Sequence, residues 1–79
     1  MARVLLFGRL ADQAGWRDRR VEAPDLAALR AALAAEDARL GEALAAPGVQ
    51  VAVDKVLVRG EAALGAGAEV AFLPPMSGG

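Results

Sequence analysis

The chain has 79 residues, enough for one small domain with a single hydrophobic core. Hydrophobic residues make up 56% of it and the formal net charge is −1, a composition opposite to that of disordered chains. Basic and acidic residues are interspersed, which argues against nucleic-acid binding, and no apolar run is long enough for a membrane span. The sequence opens on a strand pattern instead of a signal peptide, so we expect a cytoplasmic protein.

The side chains that usually perform catalysis are missing. The sequence contains no His, Cys or Tyr, and Lys55 is its only lysine. An imidazole base, a thiolate nucleophile and the common transition-metal sites therefore cannot be built. We predict that this chain is not an enzyme on its own and that it binds no metal.

The N-terminal third reads as two strands joined by a helical turn. Residues Arg3 to Phe7 predict a strand that is apolar on both faces, because side chains alternate along a strand. A helical turn is predicted over Leu10 to Ala14, with Gly15 ending it in a left-handed conformation. The charged segment 16–23 is predicted to be an edge strand beside the first, with Trp16 covering the edge of the core.

The middle of the chain is helical. Asp25 is the predicted N-cap of a helix that ends near Ala35 or Glu36. Leucines recur in it at helical spacing, at positions Leu26, Leu29 and Leu33. A second, shorter helical stretch carries Leu40 and Leu44 and stops before the turn signal Pro47-Gly48.

Short strands dominate the last third. Val49 to Val53 and Val56 to Val58 predict a hairpin around Asp54-Lys55, and Glu69 to Leu73 predict the final strand after a glycine-rich loop. The order β-β-α-β-β-β predicts an α+β roll in which a small mixed sheet wraps one main helix, a β-grasp. We assign residues 1–73 to this domain and residues 74–79 to an extended tail.

The tail is the most informative segment for function. It consists of Pro74, Pro75, Met76, Ser77, Gly78 and Gly79. The two prolines end the strand and hold the chain extended, so six residues reach roughly 20 Å. Glycine lets backbone thread a narrow channel, and the Gly79 carboxylate at the tip could be activated as an acyl-adenylate. An unstructured chain end is the alternative interpretation.

These residues resemble a known family. The segments RVLLFGRLAD, VAVDKVLV and GAGAEVAFLPPMSGG are similar to the ubiquitin-like sulfur carriers of the MoaD/ThiS group, over essentially the whole chain. A strand that runs into a diproline and then Gly-Gly is typical of MoaD, the small subunit of molybdopterin synthase. Two differences stand out, because relatives often carry Asn at position 54 and Phe at position 73, where this chain has Asp54 and Leu73.

The resemblance implies a β-grasp fold and a cycle with two partners. A MoeB-like E1 adenylyltransferase would consume ATP to adenylate Gly79, and sulfur transfer would then give a thiocarboxylate. A MoaE-like large subunit, in a heterotetramer, would receive the tail and build the molybdopterin dithiolene. The catalytic residues would belong to these partners, and the chain would hold no permanent cofactor, only the covalent sulfur.

The resemblance also implies a docking surface. Residues matching Phe7, Leu57 and Leu73 lie on the open sheet face in the family and contact partners. The alternative is that these are core residues of central strands, which are often apolar on both faces. Three other functions stay open: a protein modifier conjugated to lysines, a carrier for thiazole synthesis or tRNA thiolation, and a passive binding module.

Overall fold

The computed structural model describes residues 1–75, and within them no helix is long and apolar enough to cross a membrane. The described part contains three helices and five strands. In chain order they are β1 (Ala2–Leu6), α1 (Gly8–Ala14), β2 (Asp18–Val21), α2 (Leu26–Glu36), α3 (Ala38–Leu44), β3 (Gln50–Val53), β4 (Val56–Val58) and β5 (Glu69–Leu73).

The five strands form one mixed sheet in the order β2-β1-β5-β3-β4. β1 and β5 pair in parallel at its centre, and the other neighbouring pairs are antiparallel. β2 is an edge strand beside β1, as its charged sequence predicts. The helices pack on one face of this sheet and share its core, so the predicted α+β β-grasp architecture is confirmed.

The boundaries of the first elements differ slightly from the predicted ones. β1 ends at Leu6 instead of Phe7, and α1 begins at Gly8, ahead of the predicted Leu10. Phe7 has extended backbone and serves as the N-cap residue of α1: its carbonyl accepts from the Leu10 N–H, which starts the helix. Gly15 ends α1 with φ 85°, as predicted.

Carboxylates satisfy the first N–H groups of α2 and α3, which have no partner inside the helix. Asp25 accepts from the Ala28 N–H at 2.8 Å, as expected of the predicted cap. Glu61, from the loop before β5, accepts from the Ala27 N–H at 3.0 Å. Asp37 caps α3, so α2 and α3 follow one another with one residue between them.

The structure decides which face of the central strands is covered by helices. Val4 and Leu6 of β1 lie beside Val70 and Phe72 of β5, and all four are at most 2% exposed. The core is completed from the helices by a set of buried leucines, namely Leu10, Leu26, Leu29, Leu33, Leu40 and Leu44. Alternate residues of β1 and β5 therefore point away from the helices.

The hairpin between β3 and β4 has the predicted two-residue turn. Asp54 and Lys55 both have positive φ, 49° and 70°, as a tight hairpin turn requires. The Asp54 carboxylate accepts from the Glu69 N–H at 2.9 Å and so ties the turn to the start of β5. An asparagine amide oxygen could accept the same bond, which explains why either residue suits this position.

We predict that Phe72→Ala destabilises the domain by about 3–5 kcal/mol, because it empties a buried site at the centre of the core. The free energy of unfolding, measured by urea denaturation, checks this. Leu57→Ala is the matched control: Leu57 is 58% exposed, so its loss should change stability by less than about 0.5 kcal/mol. Equal losses in the two variants would contradict the assignment of the faces.

Candidate functional site

The tail begins at the centre of the sheet. β5 lies between β1 and β3 and ends at Leu73, and the next two residues are Pro74 and Pro75. Proline has no N–H to continue a strand ladder, so pairing stops there, as the sequence predicts. The predicted site residues Met76, Ser77, Gly78 and Gly79 lie outside the described residues.

The two prolines pack against two glycines that have positive φ. A Cβ on Gly8, which has φ 55°, would lie 3.0 Å from Cγ of Pro74. A Cβ on Gly48, which has φ 89°, would lie 2.7 Å from Cβ of Pro75, closer than real Cβ contacts allow. Each proline therefore packs against backbone that only glycine leaves open. We call Gly8, Gly48, Pro74 and Pro75 the diproline seat.

The diproline seat joins three segments that are distant in sequence. Gly8 begins α1, Gly48 lies in the α3–β3 loop, and the prolines follow β5. The Phe7 N–H also donates to the Phe72 carbonyl, which holds the start of α1 against the end of β5. The direction in which the chain leaves the domain is thus fixed by packing on both sides. The sequence marks Gly8 and Gly48 as a strand end and a turn, but not as neighbours of the prolines.

The three predicted docking residues lie on the same face of the sheet. The register that pairs Leu6 with Phe72 places Phe7 level with Leu73, both pointing away from the helices. Leu57 of β4 points to the same side and is 58% exposed, while Phe7 is 44% exposed. The alternative that these are core residues is therefore wrong for Phe7 and Leu57, and Leu73 is half-buried beside them.

Small side chains complete this face. Leu57 pairs with Ala52, Ala52 with Ala71, and Ala71 with Leu5, so two alanines separate two leucines across four strands. The alanines leave a shallow apolar floor between Phe7, Leu57 and Leu73. We call these six residues the open-face patch. The alternation of side chains along β1 and β5 predicts that Leu5 and Ala71 lie on one face with Phe7 and Leu73. That Ala52 lies beside them depends on the strand order.

Charged residues border the patch along β2 and at the end away from the tail. The Arg3 guanidinium donates to both carboxylate oxygens of Asp18, an ion pair that spans β1 and β2. This hydrogen bond lowers the pKa of the Asp18 carboxyl below its ordinary value. Glu69 lies beside Arg3 in the register. An apolar centre with a charged rim is the usual anatomy of a protein-binding surface.

Other residues that the sequence singled out have structural roles. Trp16 is half-buried against the core, and the Arg19 guanidinium lies 5.3 Å from its ring centroid. Arg19 also pairs with Glu36 of α2, which ties the edge strand to the main helix. Among residues 1–75, no group of three or more carboxylates is arranged to hold a metal ion.

We predict that Gly48→Ala displaces Pro75, whereas Gly67→Ala does not. Both glycines have positive φ, 89° and 74°, so both variants carry a backbone cost of about 1–2 kcal/mol. Only at Gly48 does the new Cβ meet another residue, since nothing lies within 4 Å at Gly67. NMR chemical shifts of Gly8 and Leu73 should change in the first variant alone. Unchanged shifts in Gly48→Ala would contradict the diproline seat.

Comparison with known proteins agrees with this geometry. No curated protein sequence matches the chain significantly. Among solved structures, the crystal structure of SAMP1 from Haloferax volcanii is similar, with 32% sequence identity over 99% of this chain and 98% of that one, and a TM-score of 0.71. The sequence profile of the ThiS family matches residues 4–79. The chain therefore belongs to the ThiS family of small ubiquitin-like proteins.

Proposed function

We propose that this protein is a sulfur carrier for molybdenum cofactor synthesis, whose Gly79 becomes a thiocarboxylate. The observation that carries the proposal is the position of the tail, which leaves the centre of the sheet directly beside an exposed apolar patch. A partner that covers Phe7, Leu57 and Leu73 would receive the tail at the same time. The diproline before Gly-Gly favours the molybdopterin route over thiazole synthesis.

The proposed reactions need no catalytic side chain from this protein. The Gly79 carboxylate attacks the α-phosphorus of ATP, pyrophosphate leaves, and an acyl-adenylate forms. A donor at the oxidation level of sulfide then attacks the carbonyl carbon, and AMP leaves with the electron pair of the broken C–O bond. Both steps belong to the active site of a MoeB-like activating enzyme.

Delivery of the sulfur needs the second partner. A MoaE-like large subunit would bind residues 74–79 in its active site, where the thiocarboxylate sulfur is transferred to the precursor of the dithiolene. Six residues, when fully extended, would reach roughly 20 Å, enough to enter a buried site while residues 1–73 remain outside. This chain would thus supply the sulfur and the arm, in a heterotetramer with two large subunits.

We predict that incubation with the activating enzyme, ATP and a sulfur donor replaces one oxygen of Gly79 by sulfur. Intact-protein mass spectrometry measures the exchange, and fragmentation locates it at the C-terminal residue. A chain that lacks Gly79 and a reaction without ATP are the controls, and neither should change mass. A wild-type chain that keeps both carboxylate oxygens of Gly79 under these conditions would contradict the proposal.

A further step of this experiment distinguishes the molybdopterin route from other uses of the carrier. Adding the large subunit and the dithiolene precursor should return the carrier to its original mass and yield molybdopterin. If the thiocarboxylate persists with this subunit, the molybdopterin assignment is wrong, although the carrier function stands. Isopeptide-linked Gly-Gly remnants on cellular lysines would instead support a protein modifier.

Docking through the open-face patch gives a second prediction. Leu57→Ser and Phe7→Ser should each weaken binding to the large subunit by about tenfold or more, since buried apolar anchors dominate interfaces. Phe7→Ser should leave the fold intact, because Ser is a good N-cap residue and Phe7 makes no side-chain cap bond. Isothermal titration calorimetry and thermal melts measure the two effects.

Val56→Ser is the matched control for Leu57→Ser. Val56 is 64% exposed on the same short strand, but it pairs with Val53 and points to the helix side of the sheet. We expect its substitution to leave partner affinity nearly unchanged. If Phe7→Ser unfolds the domain, or if all three variants bind equally, the open-face patch is not the docking surface.

A further inference from the structure

A groove lies on the helix side of the sheet. The edge strand β4 separates it from the open-face patch on the other side. It has a volume of about 410 Å³ and runs between the start of α2 and the strands β3 and β4. Its walls come from Leu26 and Arg30 of α2, Val49 to Val51 around the start of β3, and Leu57 to Gly60. Apart from two arginines and Gln50, the side chains that line it are apolar or absent.

Arg30 is held in place at the inner end of this groove. It is half-buried, and its guanidinium lies 5.3 Å from the ring centroid of Phe72, which is fully buried. One of its nitrogens donates to the Leu44 carbonyl at 3.3 Å. An aromatic face and a carbonyl orient a guanidinium without neutralising its charge.

Arg59 stands at the outer end and is exposed. Two ion pairs are recorded within residues 1–75, and neither includes Arg30 or Arg59. Glu61 is the acidic residue nearest in sequence to Arg59 and borders an adjoining depression. One of its carboxylate oxygens already accepts from the Ala27 and Ala62 N–H groups. Glu61 and Arg30 both line that depression, and among the described residues the groove itself is lined by two arginines and no acidic residue.

The position of the groove connects it with both parts of the proposed docking site. Leu57 lines the groove and also belongs to the open-face patch. Arg30 lies over Phe72, two residues before Pro74, and Val49 in the groove wall follows Gly48 of the diproline seat. The groove is therefore continuous with the open-face patch at Leu57.

We infer that the groove binds an acidic side chain of the activating enzyme, with Arg30 as the inner contact and Arg59 as the outer one. This inference rests on the proposed function and extends its docking surface around β4. The activating enzyme is the partner we choose, because carboxylate activation is required whether the chain is a sulfur carrier or a modifier. A carboxylate is the complementary group, because a guanidinium fork binds it with two parallel hydrogen bonds.

The test is the affinity of the full chain for the MoeB-like activating enzyme of the same organism, measured by calorimetry without ATP. Arg59→Glu should weaken binding about tenfold or more, since a like charge would face the acidic side chain. The loss should shrink at high salt, because ions screen the exposed part of the contact. Arg30→Lys should also weaken binding, because an ammonium cannot form the two-pronged contact.

Arg17→Glu is the matched control, since it makes the same charge change at an exposed position outside the groove. We expect a change in affinity of less than about twofold. Equal losses in Arg17→Glu and Arg59→Glu would mean general charge attraction and would overturn the inference, as would no loss in Arg59→Glu. Thermal melts of all variants keep loss of fold separate from loss of binding.

A chain truncated after Pro75 tests a different occupant, the chain's own terminal carboxylate. If truncation and Arg59→Glu lower the melting temperature equally and not additively, the tail occupies the groove and the inference is wrong. If the wild-type chain does not bind the enzyme at all, the proposed function fails with it. Wild-type binding and sulfur exchange at Gly79, together with an unaffected Arg59→Glu, would refute the groove alone.

Discussion

The parallel pairing of β1 with β5 is the constraint on which the rest of this structure depends. The first and last strands of the domain meet at the centre of the sheet, with Leu6 level with Phe72. This register aligns the inward side chains of both strands over the helices and the outward ones on the opposite face. It also places the end of β5 between two neighbouring strands instead of at an edge, so the tail leaves the domain with packed structure on both sides.

The two faces of the sheet differ in burial as a consequence. Three short helices supply the leucines that cover one face, and the described chain has no further element to cover the other. Polar side chains on the second face would suffice for folding, yet Phe7 and Leu57 are large, apolar and about half exposed. Exposed apolar residues that cluster beside a charged rim are typical of protein contact surfaces. The fold therefore combines a core on one side with an exposed apolar surface on the other.

The base of the tail is the point where these features converge. Pro74 and Pro75 pack against Gly8 and Gly48, the open-face patch begins at Phe7 and Leu73, and Arg30 lies over Phe72 on the helix side. Segments from the start, middle and end of the chain meet there. In the proposed function, each partner would contact the domain close to the point where the tail leaves it.

Much of this architecture follows from the sequence alone, because the signals are local. Alternation predicts the strands, leucine spacing and Asp25 predict α2, and Asp54-Lys55 predicts the hairpin turn. The predicted end of β1 is one residue too late, because Phe7 keeps an extended backbone while its carbonyl already starts α1. The alternation of side chains also places Leu5 and Phe7 on one face of β1 and Val4 and Leu6 on the other. It does not show which of the two faces the helices cover. Only strand order and helix packing decide that question, and the same contacts between distant segments create the diproline seat and the Arg30 groove.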